Sequence, residues 1–176
     1  DHGFSATNPK AGLYTYNPDR DGFDQTSVNL GLGFAFNKDW RVDTQFLQSE
    51  GRTYTDSGLG SNPYADLKSQ VANIKLTGKL LPNWTSKVSL GQSKDQQKNG
   101  GSPFGDSHFN TTQTEYKWDN EIGTAVGTVL AGVERLEQKV DVSSDYAQTR
   151  RNINAVFVGL NGSAGAHSWQ ANLRRD

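Results

Sequence analysis

Cysteine is absent from this chain, which rules out a disulfide framework, a thiolate metal site and a cysteine nucleophile. Histidine is nearly absent: His2, His108 and His167 stand apart and show no ligand spacing. No apolar run approaches the ~18 residues of a spanning helix, so a helical membrane protein is excluded. Charge of one sign is also lacking, because 18 Lys and Arg are scattered among 19 Asp and Glu for a net charge of −1. That leaves no electrostatic footprint for nucleic acid, and none is expected as a partner. There is no nucleophile elbow, phosphate loop or helical zinc motif, so no enzymatic activity is expected. A signal peptide is missing too, and the 176 residues read as a mature segment of one domain, 1–176, cut from something longer.

What the chain does have is a rhythm of two. From Thr26 to Phe36 the even positions are bulky or threonine (Thr26, Val28, Leu30, Leu32, Phe34, Phe36), and the odd ones are small or polar (Ser27, Asn29, Gly31, Gly33, Ala35). A period of two sends these sets to opposite faces of a β-strand. The pattern returns in Trp40, Val42, Thr44 and Phe46, in Ala72, Ile74, Leu76, Gly78 and Leu80, in Trp84, Val88 and Leu90, in Tyr116 and Trp118, and in Trp169, Ala171 and Leu173. Between Thr124 and Val140 it is less clean, since Val129, Leu130 and Val133 do not share a parity.

Eight strands are predicted, at about 25–36, 40–53, 67–81, 84–96, 109–119, 124–140, 149–161 and 166–175. Several are long enough to cross a bilayer at a tilt, which takes ~9–11 residues. Tight turns are expected at 37–39, 82–83, 120–123 and 161–165, and long polar loops at 54–66, 97–108 and 141–148, with the first 24 residues as a further loop. The fold class expected is therefore all-β: an antiparallel up-and-down meander forming a transmembrane β-barrel, either part of a larger barrel or a small closed one. The apolar set should face outer-membrane lipid, and Asn29, Lys75 and Lys87 the lumen. Trp40, Trp84, Trp118 and Trp169 all neighbour the expected tight turns, as an interfacial girdle would. A soluble lipocalin-like barrel, with its apolar face inward, is the alternative.

One loop carries a chemical signal. Asn17-Pro18-Asp19-Arg20-Asp21-Gly22 places side-chain oxygens at alternate positions before a glycine, the first half of a calcium-loop pattern. Val28 stands where that motif needs its twelfth, acidic residue, so this is not an EF-hand, and an Asx-type turn is the alternative. Asp56 and Asp66 of the next long loop would reach the same point if neighbouring loops stack.

The chain resembles the barrel of TonB-dependent outer-membrane receptors, most closely the cobalamin-transporting ones. The likeness rests on the order and spacing of short pieces: His2-Gly3-Phe4, Asp19-Arg20-Asp21-Gly22-Phe23, Phe36-Asn37-Lys38-Asp39-Trp40, Ser93-Lys94-Asp95, Trp118-Asp119-Asn120, Gly132-Val133-Glu134, Arg151-Asn152, Gly159-Leu160 and Arg174-Arg175-Asp176. The resemblance implies a bacterial outer-membrane location and passive uptake of a small-molecule ligand, cobalamin or, alternatively, a siderophore or other metal chelate. It implies TonB as a partner through a plug region this chain does not contain. It also implies Ca²⁺ at carboxylates matching Asp19, Asp21, Asp56 and Asp66. Ser5 replaces a family aspartate, so one ion is expected rather than two.

Overall fold

The computed structural model describes residues 3–5, 7–102 and 105–176; His2 of the opening motif lies outside them. Eight strands form a single sheet: β1 Phe23–Ala35, β2 Trp40–Tyr54, β3 Tyr64–Leu81, β4 Trp84–Gly100, β5 Ser107–Thr124, β6 Gly127–Val142, β7 Arg150–Ala164 and β8 His167–Arg175. Spatial order equals chain order, and every neighbouring pair is antiparallel. The four tight turns therefore lie at one end and the long loops at the other. Among the described residues there is no α-helix, only a 3-10 turn at Pro9–Ala11 started by Asn8, whose side chain accepts from the Lys10 N–H. β1 and β8 are the two edges, so the sheet is open and does not close into the small ring that was one of the two possibilities.

The strand register makes the two faces explicit. One row across seven strands reads Phe34, Val42, Leu76, Val88, Trp118, Val133 and Val156. One residue along, on the other face, the row reads Gly33, Asp43, Lys75, Ser89, Lys117, Glu134 and Ala155. The polar row is stitched by Arg41–Asp43 (2.7 Å), Lys117–Glu134 (3.6 Å) and Arg174–Glu134 (3.2 Å). Nothing covers the apolar row: Ala155 is the sole buried apolar side chain among the described residues, while Leu30 and Leu32 are 60% and 78% exposed. A contiguous uncovered apolar face of this extent belongs against another apolar phase.

The imperfect strand resolves in the same way. Val129 and Val133 lie with Ile122 and Trp118 on the apolar face, and Leu130 opposes Glu121 on the other. Leu80 departs from expectation: the register shifts between Lys79 and Leu81, and Leu81, not Leu80, pairs with Trp84.

Two expected turns are misplaced. Residues 120–123 are strand, paired from Asn120↔Ala131 to Gly123↔Thr128, and the chain reverses at 125–126. Asn120 and Glu121 look like turn formers, but their side chains have cross-strand work. The Asn120 Oδ1 accepts from the Trp84 indole at 2.9 Å, and Glu121 pairs with Lys87. Residues 161–164 likewise pair with 167–170, leaving 165–166 as the turn. There Gly165 takes a φ of 58°, the left-handed conformation a two-residue hairpin loop asks of its first residue. Several strands also outrun their predicted loop ends: β4 reaches Gly100 and β5 starts at Ser107. A backbone ladder needs pairing, not alternation, and there both faces are polar.

The tryptophans share the apolar face but not one height. Trp40 and Trp84 open their strands and Trp169 is third in its own, whereas Trp118 lies six residues before its turn. Its ring nonetheless serves the same zone, donating from Nε1 to Ser86 Oγ at 2.9 Å. Trp40 and Trp169 each lie over a directly opposed glycine, Gly78 and Gly162, where a Cβ would come within 2.5 and 2.7 Å of the ring. Large rings over bare backbone restore the surface those glycines leave unfilled.

Two substitutions test the assignment of faces. In lipid vesicles, Leu32→Arg is expected to cost about 2–4 kcal/mol by urea unfolding. Asn29→Arg, one face over, should cost less than about 1 kcal/mol, the size of an ordinary surface change. Equal costs would overturn the assignment.

Candidate functional site

The register of β1 with β2 creates the site. Pairing ends at Phe23↔Thr53, and the Tyr54 N–H still donates to the Gly22 carbonyl at 3.1 Å. The residues just before β1 and just after β2 must therefore meet at the loop end. There, one carboxylate oxygen each from Asp19, Asp21 and Asp56 lies within 4.8 Å of the others.

Backbone geometry fixes the approach. Asp21 is held by a bridge to Phe4, its N–H donating to the Phe4 carbonyl at 3.2 Å. Gly3 beside it has a φ of 63°, and a Cβ there would sit 1.9 Å from the Asp21 carbonyl oxygen. On the opposite side Gly58, with φ of 92°, lets the second loop approach the Leu13 and Tyr14 carbonyls, 3.1 and 3.2 Å from where its Cβ would be.

Asn17 clasps the two loops together. It is only 6% exposed, its Nδ2 donates to the Ser61 carbonyl at 3.2 Å, and its Oδ1 lies 3.5 Å from the Gly60 N–H. Thr7 adds a link, donating from Oγ1 to Asp56 Oδ2. Ser5 points elsewhere: its hydroxyl contacts the Thr7 and Asn17 carbonyls, both at 2.9 Å. The position where the resembling family has an aspartate thus serves here as a backbone brace.

The cluster is under-satisfied. Asp19 Oδ1, Asp56 Oδ1 and Ser61 Oγ are buried without a hydrogen-bond partner. Buried acceptors left so are costly, and carboxylates this close repel one another. The Asn62 amide completes the ring of polar groups, 2.5 Å from Asp19 Oδ2. With its nitrogen turned inward it donates to that carboxylate; turned over, it presents an oxygen. This is an assembly of hard oxygen donors, the kind that Ca²⁺ or Mg²⁺ takes and softer metals do not.

Asp66 is not with them. It lies inside β3, opposite Arg52 of β2, and receives two hydrogen bonds from that guanidinium at 2.6 and 2.9 Å. Arg52 also lies 4.1 Å over the Tyr64 ring. The pair stands beyond the apolar band, where the Arg52 hydrogen bonds hold the Asp66 carboxyl below the usual carboxylate range. Its contribution is thus full above that range and lost only as pH falls through the lowered value. Of the four carboxylates expected to share a site, three converge and the fourth pins register. Asn17, Thr7 and Ser61 were not expected. Asn17 opens the same turn as Asp19 and Asp21, but nothing local marks it as the clasp.

No protein-family model matches the chain. It is 25% identical over 146 residues to the vitamin B12 transporter BtuB of Photobacterium profundum, a match covering 81% of this chain and 24% of that protein. The chain thus corresponds to about a quarter of that relative's length.

Asn17→Ala removes the clasp and leaves the Ser61 carbonyl without its partner, a local loss of about 1–3 kcal/mol. Limited proteolysis should then cut within 57–62 at least several-fold faster than in the parent chain, with hydrogen exchange of the strands unchanged. Unchanged cleavage would remove Asn17 from this role.

Proposed function

We propose that this chain is a membrane-spanning segment of a TonB-dependent outer-membrane receptor that binds and takes up cobalamin, with Ca²⁺ ordering its outward loops. The observation that carries the reading is the match to a vitamin B12 transporter over most of the chain. An eight-stranded antiparallel meander with one uncovered apolar face supports it. In this reading the tight turns face the periplasm and the long loops face outward. The role is binding and passage, with no covalent step. Energy enters through TonB, by way of a plug contributed from outside these residues.

Ca²⁺ would be held by Asp19, Asp21 and Asp56. Oxygens on opposite sides of a calcium ion stand about 4.6–5.2 Å apart, given bonds of ~2.3–2.6 Å. The three carboxylates already converge to within 4.8 Å, so they need little rearrangement to share one ion. Asp19 Oδ1, Asp56 Oδ1 and Ser61 Oγ lack partners and are available to it, and Asn62 is placed to offer its carbonyl oxygen. The bound charge relieves carboxylate repulsion and ties loop 3–22 to loop 55–63. Those ordered loops then present one surface to the incoming ligand. Asp66 is left out of the shell, because Arg52 already neutralises it.

Calorimetry with calcium on the refolded chain separates these roles. Asp19→Ala/Asp21→Ala and Asp56→Asn should each abolish the titration or weaken it at least tenfold, while Asp66→Asn leaves it within about twofold. Loss on Asp66→Asn with Asp56→Asn unaffected would overturn the assignment. Ligand identity is tested on the whole receptor: cobalamin, and not a ferric siderophore, should compete for uptake, and the converse result would favour a metal-chelate receptor.

A further inference from the structure

Above the apolar band, the outward face of β4–β7 carries an unbalanced row of cations. Lys94 of β4, Thr112 of β5, Lys139 of β6 and Arg150 of β7 are directly opposed across successive strands. All three cations are exposed, and none makes an ion pair among the described residues. Lys139 and Arg150 face each other as an opposed like-charge pair, an arrangement that costs stability unless something negative sits between them.

The acids nearby do not fill that role. Glu137 and Asp141, flanking Lys139 on its own face, are engaged elsewhere: Glu137 with Arg135 at 2.7 Å, Asp141 with Asn110 at 3.4 Å and His108 at 3.7 Å. Around Lys94 the same-face neighbours offer no free acid: Gln70, Gln92, Gln96, Asn110 and Thr112 are uncharged, and Lys68 is a further cation that already takes Glu50. By contrast, the neighbouring face of β2 and β3 is balanced, with Glu50 on Lys68 and Asp66 on Arg52.

Position identifies the missing anion. Lys94 lies four residues beyond Leu90, the last apolar residue of that face on β4. That is about 13 Å along the strand, and less in height once the strand tilts. Long Lys and Arg side chains at such a level lay their stems on the apolar surface and hold their charges at the headgroups. The one outward row between Leu90 and Lys94 reads Gln92, Thr114, Glu137 and Asn152, and its single charge, Glu137, is paired with Arg135, which lies level with Leu90.

We infer that Lys94, Lys139 and Arg150 form a binding row for the phosphate-bearing headgroups of the lipid leaflet at the long-loop end. The row spans about 14 Å, three strand spacings, enough for more than one phosphate. It rests on the membrane reading above, and adds that this stretch of the wall selects anionic lipid.

Lipid selectivity around the chain tests this. The whole receptor that contains the chain is reconstituted into phosphatidylcholine vesicles, and spin-labelled phosphatidic acid or phosphatidylcholine reports the lipid restricted by protein. Phosphatidic acid should be preferred by about fivefold or more. Lys94→Gln/Lys139→Gln/Arg150→Gln should bring the preference close to one, and Lys10→Gln/Lys38→Gln/Lys79→Gln, with the same charge loss elsewhere, should leave it within about twofold. Restricted phosphatidylcholine without preference for phosphatidic acid would overturn the row and leave the membrane reading standing. Equal loss in both triple variants would also overturn it, as would preference abolished by millimolar inorganic phosphate, which marks a free-anion site. If neither lipid is restricted, the membrane reading fails and this inference falls with it.

Discussion

Everything in this structure depends on backbone pairing. Each interior strand satisfies its N–H and C=O groups on two neighbours, and the register chosen between any two strands fixes which side chains share a face. A slip of one residue would turn Phe34, Val42, Leu76 and Val88 over and put Asp43, Lys75 and Ser89 in their place. Because one face is apolar and the other polar, such a slip would exchange the two, so the side-chain pattern and the hydrogen bonding specify the same arrangement. The chain needs no buried core of its own to be well specified.

The candidate metal centre follows from the same pairing. Asp19 and Asp21 lead into β1 and Asp56 follows β2, and the β1–β2 register brings those strand ends together. Asn17 and the glycines at 3 and 58 then let two loops approach closely enough for their carboxylates to share a point. The charge collected there is a consequence of loop closure, and the cost of holding it is what makes a divalent cation a fitting occupant. Farther from the loops, on the face that carries the apolar rows, the balanced pairs of β2–β3 and the unbalanced row of β4–β7 differ for the same reason: register decides which charges stand opposite one another.

Much of this was legible in the residues. Parity along each segment identified the strands and their apolar faces, because a period of two is a local property of the extended chain. Short connections against long ones gave the turn end and the loop end. Asp19 and Asp21 were legible as donors, since two residues apart in a turn is also local. The errors came where a polar side chain has two possible employers. Asn120, Glu121 and Asn161 have the composition of turns, yet their side chains or backbone are taken up by distant strands or by the next hairpin arm.

The sequence by itself therefore determined the strand count, the antiparallel order, the two chemically distinct faces and the presence of carboxylates in the long loops. Each of these depends on neighbours within a few residues or on the length of a connection. The fate of each carboxylate was decided by tertiary structure. Asp56 joins Asp19 and Asp21 because its loop folds across theirs, and Asp66 does not because pairing sets it opposite Arg52. Cross-strand distance is set by register over the whole ladder, and no single segment carries that information.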